Sequence, residues 1–330
     1  MTELSGILCS LWLIPLVGLL GGFLAGLIGV GGGILITPIL ITLGLPARII
    51  AGTMPMVIIT NSLSTLRQLR PRELLDFRLG GLLGLSGAIG GFLGAMLVHY
   101  LETTADVDRI IQVMFVILLL LAMLRLLFAS DQTGNINKLS FLVRLPLLQF
   151  YTPLAGRRIS LLPLLLLGLL IGAVAGMMGV GGAILLTPAL ILLLGLDIKQ
   201  ASALAVIYIL ITALFNAVSH ALITENSNLL LGLLLMPSGA LGAIFGVRIR
   251  QWLPLRKMNR LFALVLFGAA LNMAWKTWYS NPVTVPVVTE TAGAYLSPTV
   301  TALLSLLFPV AISFGVFHIN KYISRRWGRS

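Results

Sequence analysis

At 330 residues, with 58% hydrophobic side chains, 10% charged ones and a mean hydropathy of +1.06, the chain has too few charges to coat a water-soluble domain, which carries roughly a quarter. The net charge of +12 does not mark a nucleic-acid binder, because the basic residues lie between apolar segments rather than on one soluble face. There the positive-inside rule accounts for them. The single cysteine, Cys9, excludes a disulfide framework and a Cys-rich metal site.

The first ten residues hold Glu3 and no Lys or Arg, so they lack the basic start of a signal peptide. The apolar segment Leu8–Leu27 therefore reads as a retained membrane span. A glycine-rich loop, Gly29 to Gly33, leads into a short apolar stretch, Ile34–Leu45, and then a third element carrying Thr53, Thr60, Asn61, Ser62 and Ser64. Leu79–Val98 and Val107–Phe128 are long enough to span, a crossing needing about 20 apolar residues. After a linker, Ala129–Ser160, the pattern repeats with Leu161–Met178, Ile184–Leu196, a third element with Ser202, Thr212, Asn216 and Ser219, then Leu229–Val247 and Leu261–Trp278. A final apolar segment, Pro298–Ile319, ends in a basic tail.

The repetition extends to individual residues. Residues 22–40 read GFLAGLIGVGGGILITPIL and residues 172–190 read GAVAGMMGVGGAILLTPAL. Gly80, Ser86, Gly87, Ala88, Gly90 and Gly94 correspond to Gly232, Ser238, Gly239, Ala240, Gly242 and Gly246. Loop charge then orients the two halves. The loop after the first third element carries Arg67, Arg70, Arg72 and Arg78, whereas His220–Asn228 has Glu225 and no Lys or Arg. The next loop reverses the contrast: Glu102, Asp106 and Asp108 against Arg248, Arg250, Arg256, Lys257 and Arg260. Basic loops stay cytoplasmic, so the same loop faces opposite sides in the two halves, as in inverted-topology repeats.

The predicted architecture is thus an all-α polytopic membrane protein: a repeat over 1–128, a cytoplasmic linker over 129–160, and a second repeat over 161–278. An outer linker over 279–297 and an extra transmembrane helix with a basic tail over 298–330 complete it. The N-terminus falls outside and the C-terminus in the cytoplasm. The two short stretches, only about 18–20 Å long as helices, fall short of a ~30 Å core. They are either re-entrant, giving three crossings per half, or short spans, giving five.

The duplicated pattern Gly-x-x-x-Gly-x-x-Gly-Val-Gly-Gly-[Gly/Ala]-x-x-x-Thr-Pro-x-Leu, with Ala51-Gly52-Thr53 downstream of the first copy, resembles the hallmark of the TauE/SafE-like anion permease family. The resemblance covers Leu8–Ala129 and Leu161–Trp278. It implies a bacterial inner-membrane protein exporting or importing sulfite, an organosulfonate or a related oxyanion. Three features depart from the pattern: the long linker, the last span, and Ala183 where the first copy has its third glycine.

The chemistry points first to Gly29, Gly31, Gly32 and Gly33 and to Gly179, Gly181, Gly182 and Ala183. Glycine permits otherwise forbidden backbone angles and lets N–H groups approach a ligand, and the helix that follows adds unpaired donors. Thr37 and Thr187 offer hydroxyls one turn deeper. The competing explanation is close helix packing, which is preferred for Gly22, Gly26, Gly172, Gly176 and the series from Gly80 to Gly94. Arg48 and Lys199 align after Gly44 and Gly195. Deep in the membrane they would face an anion; at the interface they would keep a gating or vestibule role. Asn61 and Asn216 either hydrogen-bond between helices or line a polar path. His99 and His220 fall near predicted span ends, where a solvated imidazole is the ordinary explanation and a proton relay the alternative.

No His-Glu-x-x-His, Gly-x-Ser-x-Gly or Walker signature occurs, so neither an enzyme nor a nucleotide-driven pump is expected, and no cofactor. The expected partners are a small anion and the lipid bilayer, without nucleic acid. Transport of a neutral or cationic solute, or a membrane-embedded enzyme or scaffold, are the competing functions.

Overall fold

The computed structural model describes residues 2–28, 33–68, 76–102, 106–128, 149–152, 154, 157–224, 226–250, 255–279 and 297–327. The first half contains α1 (Thr2–Ile28), α2 (Gly33–Thr42), α3 (Ala47–Gln68), α4 (Phe77–Glu102) and α5 (Val107–Phe128). The second contains α6 (Leu161–Met178), α7 (Ala183–Leu194), α8 (Ile198–Ser219), α9 (Leu229–Arg250) and α10 (Leu255–Tyr279). The last helix, α11, runs from Pro298 to Trp327. Seven helices among the described residues are long and apolar enough to cross a membrane, and α2 and α7 are short apolar helices of 10 and 12 residues. The chain is a helical polytopic membrane protein.

One element departs from the all-helical expectation. Inside the linker, β1 (Gln149–Thr152) and β2 (Arg157–Ser160) form an antiparallel hairpin with Phe150 opposite Ile159. Thr152 Oγ1 donates to Asp76 Oδ2 at 2.8 Å. The other carboxylate oxygen accepts the backbone N–H groups of Arg78 and Leu79 and so caps α4. The hairpin is thereby fastened to the start of α4.

The two halves interleave. α1 packs along α9 and α4 along α6; α3 packs on α9 and α4 on α8; α3 meets α8, and α5 meets α10. In lipid no hydrophobic force drives helices together, so small residues that allow backbone approach decide the contacts. A Cβ on Gly22 would collide with the carbonyl of Gly239, one on Gly26 with that of Ala243, one on Gly172 with that of Gly87, and one on Gly176 with that of Gly91. The glycines of the Gly80–Gly94 series sit at matching crossings: Gly90 and Gly94 abut the carbonyls of Leu169 and Ala173.

Burial ranks the helices. The spans in α3 and α8 are 78% and 72% buried, against 28% for α11, which makes the crossed α3–α8 pair the axis of the molecule. Large apolar side chains such as Ile89, Leu170, Leu264 and Leu307 point outward, as a lipid-facing surface requires.

Candidate transport site

The second glycine loop is built from left-handed backbone. Gly179, Gly181 and Gly182 have φ of 67°, 82° and 73°, a region where a Cβ is strained. Gly179 closes α6, its N–H donating to Ala175 O at 2.8 Å, and Gly182 opens α7, its carbonyl accepting from Leu185 and Leu186. One helix therefore ends and the next begins within four residues. Space forbids side chains there as well: a Cβ on Gly181 would lie 2.9 Å from Ile209 Cγ2 and 3.3 Å from Ile58 Cγ2.

The start of α2 meets this loop. A Cβ on Gly33 would lie 3.2 Å from Ile58 Cδ1 and 3.4 Å from both Cα and O of Val180. Ile58 on α3 thus touches the opening residue of α2 and the loop ahead of α7, and brings the two short-helix starts together on the central axis. Gly29, Gly31 and Gly32 lie outside the described residues. Each short helix holds a proline one turn in, Pro38 and Pro188, whose missing N–H interrupts the helical bonding.

The short helices and the central α3 and α8 carry buried polar atoms with nothing to bond. Thr37 Oγ1, Thr187 Oγ1, Ser62 Oγ, Asn216 Oδ1 and both polar atoms of Asn61 are buried without a hydrogen-bond partner. Thr37 is wholly buried, Asn61 and Asn216 are 1% exposed, and Thr187 is 7% exposed. An unmet buried polar group costs about 1–3 kcal/mol, so six such atoms near one axis call for an explanation. The glycines make room for them: Asn61 faces Gly239 on α9, Oδ1 lying 3.1 Å from where a Cβ would stand, and Asn216 Oδ1 fills the same kind of gap at Gly91 on α4. By contrast, Thr53, Thr60 and Thr212 turn their hydroxyls back onto carbonyls of their own helices, a local bond that removes them from ligand duty.

The two aligned cations are not in this cluster. Arg48 and Lys199 are exposed. Arg48 pairs through Nε with Asp108 Oδ2 at 3.8 Å, and its N–H donates to Asp108 Oδ1 at 2.9 Å. Lys199 follows Asp197, which caps α8 in a box with Gln200. A different cation reaches a short helix: Lys276 Nζ on α10 donates to the carbonyls of Ile41 (3.1 Å) and Thr42 (2.8 Å), the C-terminal end of α2. It neutralises the negative pole of the helix whose positive pole faces the glycine loop.

His99 is exposed and lies 3.9 Å from Glu102. For His220 the expectation of solvation fails. It is fully buried, with Nε2 2.7 Å from Gly176 O and Nδ1 3.2 Å from Thr224 Oγ1. The cause is that α8 does not stop at Ser219 but continues through a π-helical turn over His220–Thr224. The apolar residues Ala217, Val218, Ala221, Leu222 and Ile223 stand on either side of Ser219 and His220 and do not by themselves separate the two endings.

Close helix contacts at glycines, two short apolar helices whose starts meet, and buried polar atoms without partners characterise this multi-pass membrane protein. The model of the sulfite exporter TauE/SafE family matches residues 14–273, and the chain belongs to that family. It is 25% identical over 288 residues to the probable membrane transporter protein YunE of Bacillus subtilis (strain 168), covering 82% of this chain and all of that protein. A probable membrane transporter protein of Xylella fastidiosa (strain Temecula1 / ATCC 700964) is 26% identical over 273 residues, covering 80% of this chain and 94% of the relative. No solved structure matches.

Proposed function

We propose that the protein is a secondary transporter for a small oxyanion, of the sulfite or short organosulfonate class, in a bacterial inner membrane. The observation that carries this reading is the set of buried polar atoms without partners on the two short helices and the central α3 and α8, together with the left-handed glycine loop. The anion's oxygens would accept from the N–H groups at the starts of α2 and α7, from Thr37, Thr187 and Ser62, and from the Asn61 amide. Helix N-termini favour negative charge, and the first-turn N–H groups have no partner within their own helix. Arg48 and Lys199 serve as vestibule cations on opposite sides rather than as ligands in the site.

The two halves form inverted repeats, with the N-terminus outside and the C-terminus in the cytoplasm. The exchanged packing of α1 on α9 and α6 on α4 supports a two-fold relation. The Arg48–Asp108 pair supports short spans over re-entrant loops, because it ties the end of α2 to the acidic loop between α4 and α5. Five crossings per half follow.

The test is uptake of radiolabelled sulfite, sulfate and methanesulfonate by proteoliposomes of the wild type and of Gly181→Ala. Wild type should show saturable flux for at least one of them. Gly181→Ala, strained at φ 82°, should lose about tenfold or more. Wild-type flux indistinguishable from empty liposomes for every anion would sink the reading.

A further inference from the structure

We propose that His220 is a proton-binding residue that couples proton movement to the anion, an inference that rests on the transporter reading above. Two hydrogen bonds fix its chemistry. Gly176 O, 2.7 Å from Nε2, can only accept, so Nε2 carries a hydrogen in both protonation states. The site of proton uptake is therefore Nδ1, 3.2 Å from Thr224 Oγ1.

Thr224 is arranged to serve either state. Its oxygen lies 3.0 Å from His220 O as well as 3.2 Å from Nδ1. With neutral imidazole, the hydroxyl donates its single hydrogen to Nδ1. With imidazolium, Nδ1–H donates to the hydroxyl oxygen, and the hydroxyl hydrogen turns to the His220 carbonyl. Both states are fully bonded without moving a heavy atom. A purely structural histidine needs one state satisfied; this one has two. The π-helical turn produces the arrangement, since it continues the helix through His220 and Thr224.

Position links the proton to the anion. His220 lies one helical turn beyond Asn216, whose buried Oδ1 has no partner. Its acceptor Gly176 lies three residues before the left-handed loop that begins at Gly179. An ionisable side chain inside a membrane is costly and usually functional. Protonation beside a bound anion makes the pair neutral for passage: Nδ1 takes one proton as the anion enters and releases it on the other side, with no covalent change.

Among the described residues no charged side chain bonds the imidazole. The turn packs against α3, α4, α8 and α11, and α6 supplies the Gly176 carbonyl. On α3 Arg48 pairs with Asp108, and Arg67 bonds Ser313 of α11. On α4 Arg78 and Tyr100 are exposed, His99 lies beside Glu102, and the Glu102 carboxylate accepts from Asn226. On α8 Lys199 is exposed and the Tyr208 hydroxyl donates to Gly168 O. α6 has no titratable side chain, and the first on α11 is the exposed His318, followed by Lys321, Tyr322, Arg325 and Arg326. Among the described residues the imidazole bonds only Gly176 and Thr224.

The experiment uses methanesulfonate, which stays anionic across the pH range, with full-length wild type, His220→Gln and Thr224→Val in proteoliposomes. Counterflow at equal pH on both sides reads the anion site. Accumulation under a one-unit pH gradient, with a trapped pH dye, reads coupling. Wild type should accumulate toward about tenfold at one proton per anion and move protons with it. His220→Gln should lose both accumulation and the dye signal, and counterflow should fall with them because the bound anion then lacks its neutralising proton. Gradient-driven accumulation retained by His220→Gln would overturn coupling and leave the anion site standing. Absent counterflow in wild type would instead remove the anion reading. Imidazole nitrogen NMR of the whole protein, independent of flux, should show an Nε2–H tautomer that protonates at Nδ1 on acidification, with a different midpoint in Thr224→Val. An imidazole neutral throughout acidification to the unfolding point would overturn the proposal, even if His220→Gln failed to fold.

Discussion

Thr37 and Thr187 pose a sharp question about single side chains, since each hides a hydroxyl that bonds to nothing. If these hydroxyls only filled space, valine, which has the same shape, would do as well. Removing an unmet buried polar group relieves a desolvation penalty of about 1–3 kcal/mol. Thr37→Val and Thr187→Val should therefore leave thermal stability unchanged or raise it, while anion uptake falls by about tenfold or more. Thermal melts and uptake on the same preparations check this. A fall in stability without a fall in uptake would make the hydroxyls structural after all. The candidate threonines were legible because they follow the glycine loops at fixed spacing in both halves. The histidine was not, because the sequence offers no mark separating a helix that ends at Ser219 from one that continues through a π turn.

The helices associate through glycine, and glycines of like appearance divide sharply into those that touch a neighbour and those that do not. A side chain on Gly172 would run into the carbonyl of Gly87, whereas Gly268, in α10, has nothing within 4 Å of its Cβ position. Gly172→Val should separate α6 from α4 and yield aggregated or degraded protein, since a backbone carbonyl cannot give way. Gly268→Ala should stabilise, by about 0.5–1 kcal/mol, through helix propensity alone. Detergent melts and size-exclusion profiles distinguish the two. Equal tolerance of both changes would mean that α4 and α6 do not cross where described. Spacing alone made this division only partly readable: the Gly-x-x-x-Gly series announces a close crossing, and the partner helix is a matter of tertiary arrangement. The hairpin over 149–160 escaped for a related reason. Its strands are four residues each, and what holds them, Thr152 on Asp76, joins residues 76 positions apart.

Polar contacts at the two ends of the molecule fall into two groups. Arg48 pairs with Asp108, Asn226 donates to Glu102, Ser227 donates to Gly52 O, and the Asn228 N–H at the start of α9 donates to Thr53 Oγ1, all at the end that loop charge predicts to lie outside. Thr152 meets Asp76, and Arg67 stacks 3.9 Å above Phe314, at the end that loop charge predicts to face the cytoplasm. The second contact also seats α11, which lies beyond the matched residues 14–273, against the central α3. Arg48 and Lys199 occupy aligned positions in the two halves and are both exposed, so they report topology directly. In a Cys9→Ala background, Arg48→Cys should react with a membrane-impermeant maleimide added to intact cells. Lys199→Cys should react only after the membrane is opened. The opposite pattern would reverse the orientation while keeping the repeats inverted. Labelling of both from one side would end the inverted-repeat reading, because no inverted pair of repeats can set aligned residues on the same face. The glycine loops would then need another account of why they meet, one in which Gly33 and Val180 approach the axis from the same side of the membrane.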